Sequence, residues 1–300
     1  MCITSSRSLL DNTYIGAWDI EHPNYGYRHV LAYQNRVQNL TEGPNCMLLP
    51  IQSAETIVPA WVVDSTVCPN FLTELYNTLD PVVEDDGLPW MSIEPERMNY
   101  VVERGVYHIA ILNDLSEEAL LNTLAQIPIN KKPVLTAELL DFFRNNYNQF
   151  PLLLCCFNNA NALQAAPILV HYPPQFPATL MVNTLDSHGG IPVIGKSTPF
   201  HQKIIIGSYK NTQEEMKVPY KKLAPDFCPP LQDFLPKYAF AIDLLHQFKA
   251  PNKDLCFSLQ TLHEGTLPQA QLALLTRKEQ GVEVPTHAYE HNLFLRSTLG

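Results

Sequence analysis

Glycine is scarce, at 12 of 300 residues, and positive charge is outnumbered, with 20 Lys and Arg against 30 Asp and Glu for a net charge of −10. So little glycine leaves little material for loops that cradle phosphates. No P-loop, dinucleotide fingerprint, calcium loop or kinase motif set is present, so nucleotide-dependent chemistry has no support and no cofactor is expected. Nucleic-acid binding needs a concentrated basic surface to displace counterions. Lys210 with Lys217 to Lys222 is the nearest approach to one and reads as a solvated loop. No apolar run reaches the roughly eighteen residues of a membrane-spanning helix, and no basic region followed by an apolar core opens the chain. Neither a nucleic-acid nor a membrane partner is expected. The seven cysteines lack CxxC and CxxH spacing. Reduced thiols in a cytoplasmic protein are therefore expected, with Cys155 and Cys156 acting as small buried hydrophobes.

What is plentiful is proline, 25 residues, within an ordinary balance of 46% hydrophobic and 17% charged residues. Such a chain buries a real core and is read as one domain over 1–300, built from short elements with stiff connections. Strands are expected at 28–37 and 46–51, paired across the Gly43-Pro44 turn, and at 60–64. A short helix follows from Phe71 to Leu79, and then an exposed acidic, proline-rich loop or lid over 80–98 that includes Glu84-Asp85-Asp86. A strand at 106–112 precedes helices started by Ser116 and Thr136. The centre reads as strands at 152–157, 167–172, 179–185 and 203–209, with Asp186-Ser187-His188-Gly189-Gly190 as a tight turn. Residues 210–236 are polar and proline-studded, a candidate subdomain break. Beyond them a helix at 237–248, a strand at 255–259 and a helix at 268–275 are expected. Helices do not alternate strictly with strands. The fold class is therefore α+β, mostly antiparallel sheet with helices packed on it, an αββα sandwich being one such form.

The sharpest chemical feature is Met1-Cys2. Removal of Met1 would put a thiol and a free α-amine on one residue, a nucleophile beside its own base. Met1-Cys2, a short β-prone stretch and Trp18-Asp19-Ile20-Glu21 together resemble the start of Cys-type N-terminal-nucleophile hydrolases, in the cholylglycine-hydrolase and penicillin-acylase branch. The resemblance covers about twenty residues of the 300. It implies Cys2 as the nucleophile on an amide carbonyl and Asp19 as the group orienting the amine. Position 3 is Ile where that branch has Thr, and Gly16-Ala17 replaces the arginine it carries before the Asp. Asn159, after a buried strand, is the candidate oxyanion donor. The passage from His29 to Ile51 also looks like a cassette seen in bacterial proteins without an assigned activity.

His287-Ala288-Tyr289-Glu290-His291 matches H-x-x-E-H, which on a helix sets two imidazoles on one face with Glu as base. A catalytic zinc needs a third ligand, and nothing marks one. Asp186, Ser187 and His188 hold triad residue types, but consecutive neighbours do not meet in relay geometry, and turn chemistry accounts for them. His108 and His171 lie in apolar strands and read as packed histidines.

Two functions are thus carried forward. One is a Cys-dependent amidohydrolase acting on a small amide or peptide-like bond through Cys2, Asp19 and Asn159. The other is a non-catalytic protein–protein interaction or structural protein whose acidic loop and 210–236 segment contact a protein partner.

Overall fold

A computed structural model describes residues 2–6, 8–39, 43–79, 98–188, 190–199, 202–210, 221–224, 226–243 and 249–264. The strands are β1 (Cys2–Thr4), β2 (Ser8–His22), β3 (Gly26–Asn39), β4 (Pro44–Pro50), β5 (Val62–Val63), β6 (Tyr100–Arg104), β7 (Tyr107–Leu112) and β8 (Leu152–Asn158). They continue with β9 (Ile168–Tyr172), β10 (Thr179–Val182), β11 (Asp186–His188), β12 (Ser197–Pro199) and β13 (Gln202–Ser208). The last are β14 (Lys221–Lys222), β15 (Tyr238–Asp243), β16 (Lys249–Pro251) and β17 (Leu255–Ser258). The helices are α1 (Phe71–Thr78), α2 (Glu117–Leu124), α3 (Ala137–Asn146) and α4 (Leu259–His263), with a 3-10 turn at Pro229–Phe234.

A six-stranded sheet runs β11-β1-β4-β8-β7-β6, and a seven-stranded sheet runs β14-β15-β13-β2-β3-β9-β5. Pairing is antiparallel except between β1 and β11 and between β2 and β13. Strand alternation sorts the side chains of the second sheet. Ile15, Ala17, Leu31, Tyr33, Ile204 and Ile206 join Met47, Leu48, Ile109 and Leu154 of the first sheet in one core. Tyr14, Trp18, Val30, Ala32, Leu169 and Ile205 face the other way, under Phe71, Leu72 and Leu75 of α1 and Leu231 of the 3-10 turn. Leu120 and Leu124 of α2 and Leu139 and Phe143 of α3 join the first core. Ser116 and Thr136 cap those two helices, accepting the Ala119 and Leu139 N–H. The result is α+β, mostly antiparallel sheet with few helices.

Four local expectations differ from what is found. The runs around Gly43-Pro44 do not pair with each other: β3 lies between β2 and β9, whereas β4 lies between β1 and β8 of the other sheet. Asp186–His188 is a strand, not a turn, because β1 runs alongside it in parallel. The expected helix from 237 begins instead as β15. There Phe240 enters one core and Ala239 the other, so a strand buried on both faces shows no clean alternation. Cys68 and Cys228, expected as thiols, form a disulfide, while Cys46, Cys155, Cys156 and Cys256 are free. Residues 80–97, the predicted helix at 268–275 and His287, Glu290 and His291 lie outside the described residues.

Candidate functional site

The three residues singled out for chemistry stand in three places. Cys2 opens β1, in register with Asp186 of β11. The next residue back, Leu185, donates its N–H to Oδ1 of the buried Asp254 at 2.9 Å, and Tyr147 donates its hydroxyl to Oδ2 at 2.8 Å. Burial pushes the Asp254 carboxyl above its ordinary range, against the pull of those hydrogen bonds. Asn252 ties the same spot together, accepting the Asp186 N–H and donating to the Asp186 carbonyl, both at 2.7 Å.

Asn159 lies at the other end of β1. Asn45 accepts the Ser6 N–H at 3.1 Å, and its amide reaches Asn159 Oδ1 at 3.5 Å. Ser6 lies four residues on from Cys2, past the end of β1 at Thr4. Asn159 therefore contributes to how the N-terminal strand is seated.

Asp19 is in the second sheet, fully buried and opposite His29 in register. Its Oδ2 takes His263 Nε2 from the end of α4 at 3.1 Å and the Tyr27 hydroxyl at 3.4 Å. Tyr27 Oη also lies 3.1 Å from His29 Nε2. Odd positions 19, 27 and 29 share one sheet face, which is why these groups converge. Burial holds the His29 imidazole down to about 4, with Asp19 pulling the other way and His263 adding to the depression. Burial, then the Asp19 carboxylate, drives the Tyr27 phenol well above its ordinary range. Asp19 Oδ1 is buried without a partner among the described residues.

Over Tyr27 and His263 opens a pocket of about 470 Å³, walled by Pro177, Ala178, Leu259 and Tyr209 and edged by Lys210, Gln260 and Glu264. Sequence reasoning found Asp19 but not this setting, because His263 is 244 positions away. Chemically the cluster can hold a proton between a carboxylate, an imidazole and a phenol; Asp19 itself lies beneath the pocket lining and does not reach it. Among the described residues no cluster of three or more His, Cys, Asp or Glu has metal-holding geometry. No helix of the described residues is long and apolar enough to cross a membrane.

No family model and no curated protein matches this chain. Among solved structures, the crystal structure of baculovirus P35 superposes with a TM-score of 0.39 at 12% identity, covering 74% of this chain and 78% of that one. A likeness that distant fixes neither fold nor activity.

Proposed function

We propose that this chain is a non-catalytic protein-binding scaffold that makes its contact through residues 80–97. What supports the reading is how firmly both flanks of that segment are held. Before it, α1 buries Phe71, Leu72 and Leu75, and Cys68 ties its start to Cys228. After it, Asn113 donates to the Met98 carbonyl at 2.5 Å. Asn99 Oδ1 accepts the Asn113 and Asp114 N–H groups at 2.8 and 2.9 Å. Rigid flanks lower the ordering cost of binding. The segment itself mixes Glu84, Asp85 and Asp86 with Val82, Val83, Leu88, Trp90 and Met91. Aromatic and Met side chains are the kind that anchor interfaces. The test is a photo-crosslinking residue at position 88 in native-source extract, with and without residues 82–91 replaced by Gly and Ser. One saturable partner, lost on replacement and kept in Cys2→Ala, is expected. Crosslinking that survives the replacement refutes the reading.

A second reading keeps Cys2 as the nucleophile of an amidohydrolase. The register of Cys2 with Asp186, whose chain neighbour Leu185 donates to Asp254, supports it. On that reading the thiol attacks an amide carbonyl, the α-amine passes the thiol proton to the leaving amine as the C–N bond breaks, and water then hydrolyses the thioester to free the thiol. Intact mass lacking Met1, together with one fast thiol adduct at Cys2, supports it; retained Met1 removes it. The compartment proposed is the cytoplasm, on the four free thiols. A Cys68–Cys228 bond persisting in protein isolated under thiol trapping would point outside it.

A further inference from the structure

The cysteines of this chain fall into two kinds. Cys46, Cys155 and Cys156 are buried thiols and Cys256 is half-buried. Burial pushes the Cys155 thiol well up and the Cys256 thiol up to about 12, which keeps both protonated and unreactive. Cys68 and Cys228 are bonded to each other, and both are half-buried, with Val67, Pro69 and Pro229 exposed beside them in the chain. A disulfide that solvent reaches is open to attack by a thiolate, and exposed or strained disulfides are the reducible ones.

The backbone at Cys228 is strained as well. Among the described residues it is the one non-glycine residue with positive φ, at 45°, a left-handed conformation that costs any residue with a Cβ. No side chain caps the 3-10 turn that starts there, and the Cys228 carbonyl accepts the Leu231 N–H at 2.9 Å. The two sides of the bond are held very differently. On one side, Cys68 accepts the Phe71 N–H at 3.1 Å at the start of α1, whose Phe71, Leu72 and Leu75 are wholly buried. On the other, the turn buries Leu231 fully and Phe234 only in part. Phe234 nonetheless covers the second face: its ring lies 4.8 Å from that of His22 and 5.2 Å from that of His171, and its carbonyl accepts the Trp18 indole N–H at 2.8 Å. If the bond opens, the turn moves and α1 stays.

We propose that the Cys68–Cys228 bond is a redox-operated clasp: a glutathione-class thiol reduces it in the folded protein, the turn at Pro229–Phe234 lifts, and the floor of Trp18, His22 and His171 opens. One reductant thiolate attacks a clasp sulfur, and the other cysteine leaves and takes up the proton. A second reductant thiolate then resolves the mixed disulfide, so two cysteine thiols and one oxidised glutathione result. Oxidised glutathione drives the reverse and closes the clasp. The clasp rests on neither residues 80–97 nor Cys2.

The experiment equilibrates the full chain, without denaturant, across a series of reduced-to-oxidised glutathione ratios. Alkylation and peptide mass count the open bond, and amide exchange is followed on the same samples. One reversible two-electron transition at Cys68–Cys228 is expected, with exchange over 231–235 roughly tenfold faster in the reduced protein, a smaller gain at the start of α1 and none in β2. Cys68→Ser, which breaks the bond without altering the turn, should exchange at the reduced rate at every glutathione ratio. That ties the change to this pair and not to the four free thiols. If Cys68→Ser does not fold, the titration of the parent still decides the matter. Reduction only after denaturant is added, equal exchange over 231–235 in the oxidised and reduced protein, or loss of the whole fold on reduction would overturn the proposal. So would a Cys68→Ser chain whose exchange still follows the glutathione ratio.

Discussion

The hairpin of β2 and β3 carries two buried polar clusters, one on each face, and they solve burial in opposite ways. On the first face Asp19, Tyr27, His29 and His263 are joined by hydrogen bonds around a carboxylate. On the second face His22, Arg28 and His171 lie among aromatic rings, and the carboxylates near them, Asp233 for His22 and Glu55 for Arg28, act on them through their charge. The rings of His22 and His171 lie parallel, 5.6 Å apart at 8°, and both touch Tyr25 and Phe234. The Arg28 guanidinium lies 5.5 Å from the Trp61 centroid and 5.8 Å from that of Tyr25. The first cluster stabilises its polar groups by hydrogen bonding, the second largely by ring stacking and cation–π contact. Period-two alternation sorts not only apolar residues but also charges: 19, 27 and 29 go one way, 22 and 28 the other.

Acid is the strongest lever on that contrast. Burial lowers His171 to about 3, helped by His22 and Arg28, and lowers His29 to about 4; His22 is lowered as well. All three are depressed below the unfolded value near 6.5, so the unfolded chain takes up protons first as pH falls. Their contribution is fully present above about 6.5, declines on acidification, and is exhausted for His29 near 4 and for His171 near 3. At about 1.4 kcal/mol per pH unit, His29 alone accounts for roughly 3 kcal/mol of the loss. Urea midpoints from pH 7 to 3 should fall steeply. His171→Phe should flatten that fall more than His29→Phe, the difference appearing between about pH 4 and 3, because burial with His22 and Arg28 holds His171 lower than His29. The reverse order would refute the contrast.

The second face is also the one sealed covalently. The Cys68–Cys228 bond joins the start of α1 to the 3-10 turn, spanning 160 residues of sequence. Cys68→Ser with Cys228→Ser should cost about 2–4 kcal/mol, read by denaturant unfolding with and without reductant. Amide exchange should quicken in α1 and the 3-10 turn and stay unchanged around Asp19. On the first face, Tyr27→Phe removes the hydroxyl that meets both Asp19 and His29. Leaving those groups short of a partner should cost about 1–3 kcal/mol in the same measurement. The His29 ring signals should shift, with no change at His22 or His171.

The parts of this architecture legible in the sequence were those set by neighbours in the chain. The caps at Ser116 and Thr136, the periodicity of α1 and the apolar run of β7 are local, and each stands where the pattern placed it. What depended on distant partners was not legible. Asp186–His188 has turn chemistry and becomes a strand only because β1 lies beside it. Asp19 drew notice for its distance from Cys2, yet the partners it meets are His263 and Tyr27. The disulfide likewise joins cysteines that no spacing rule connects.

What keeps each residue on its own face is the turn between β2 and β3. The pairing runs in register from His22↔Gly26 outward. The Asn24 N–H is held by His22 Nδ1 at 3.1 Å, and Gly26 takes φ of 67°, a conformation that costs any Cβ. A slip of one residue would turn either Asp19 toward the aromatic box or Arg28 toward the first core, leaving that charge without its compensations. That penalty far exceeds the strain of one left-handed residue, so Gly26→Ala should strain the turn without shifting the register. The expected cost is about 1 kcal/mol, and Gly26→Asn, which tolerates positive φ better, should cost less. Thermal unfolding measures both, and NMR shifts of His29 and His171 should remain those of the parent. If either histidine moved to the other environment, the register would be set by the turn residue alone and not by the sorting of charge between the two faces.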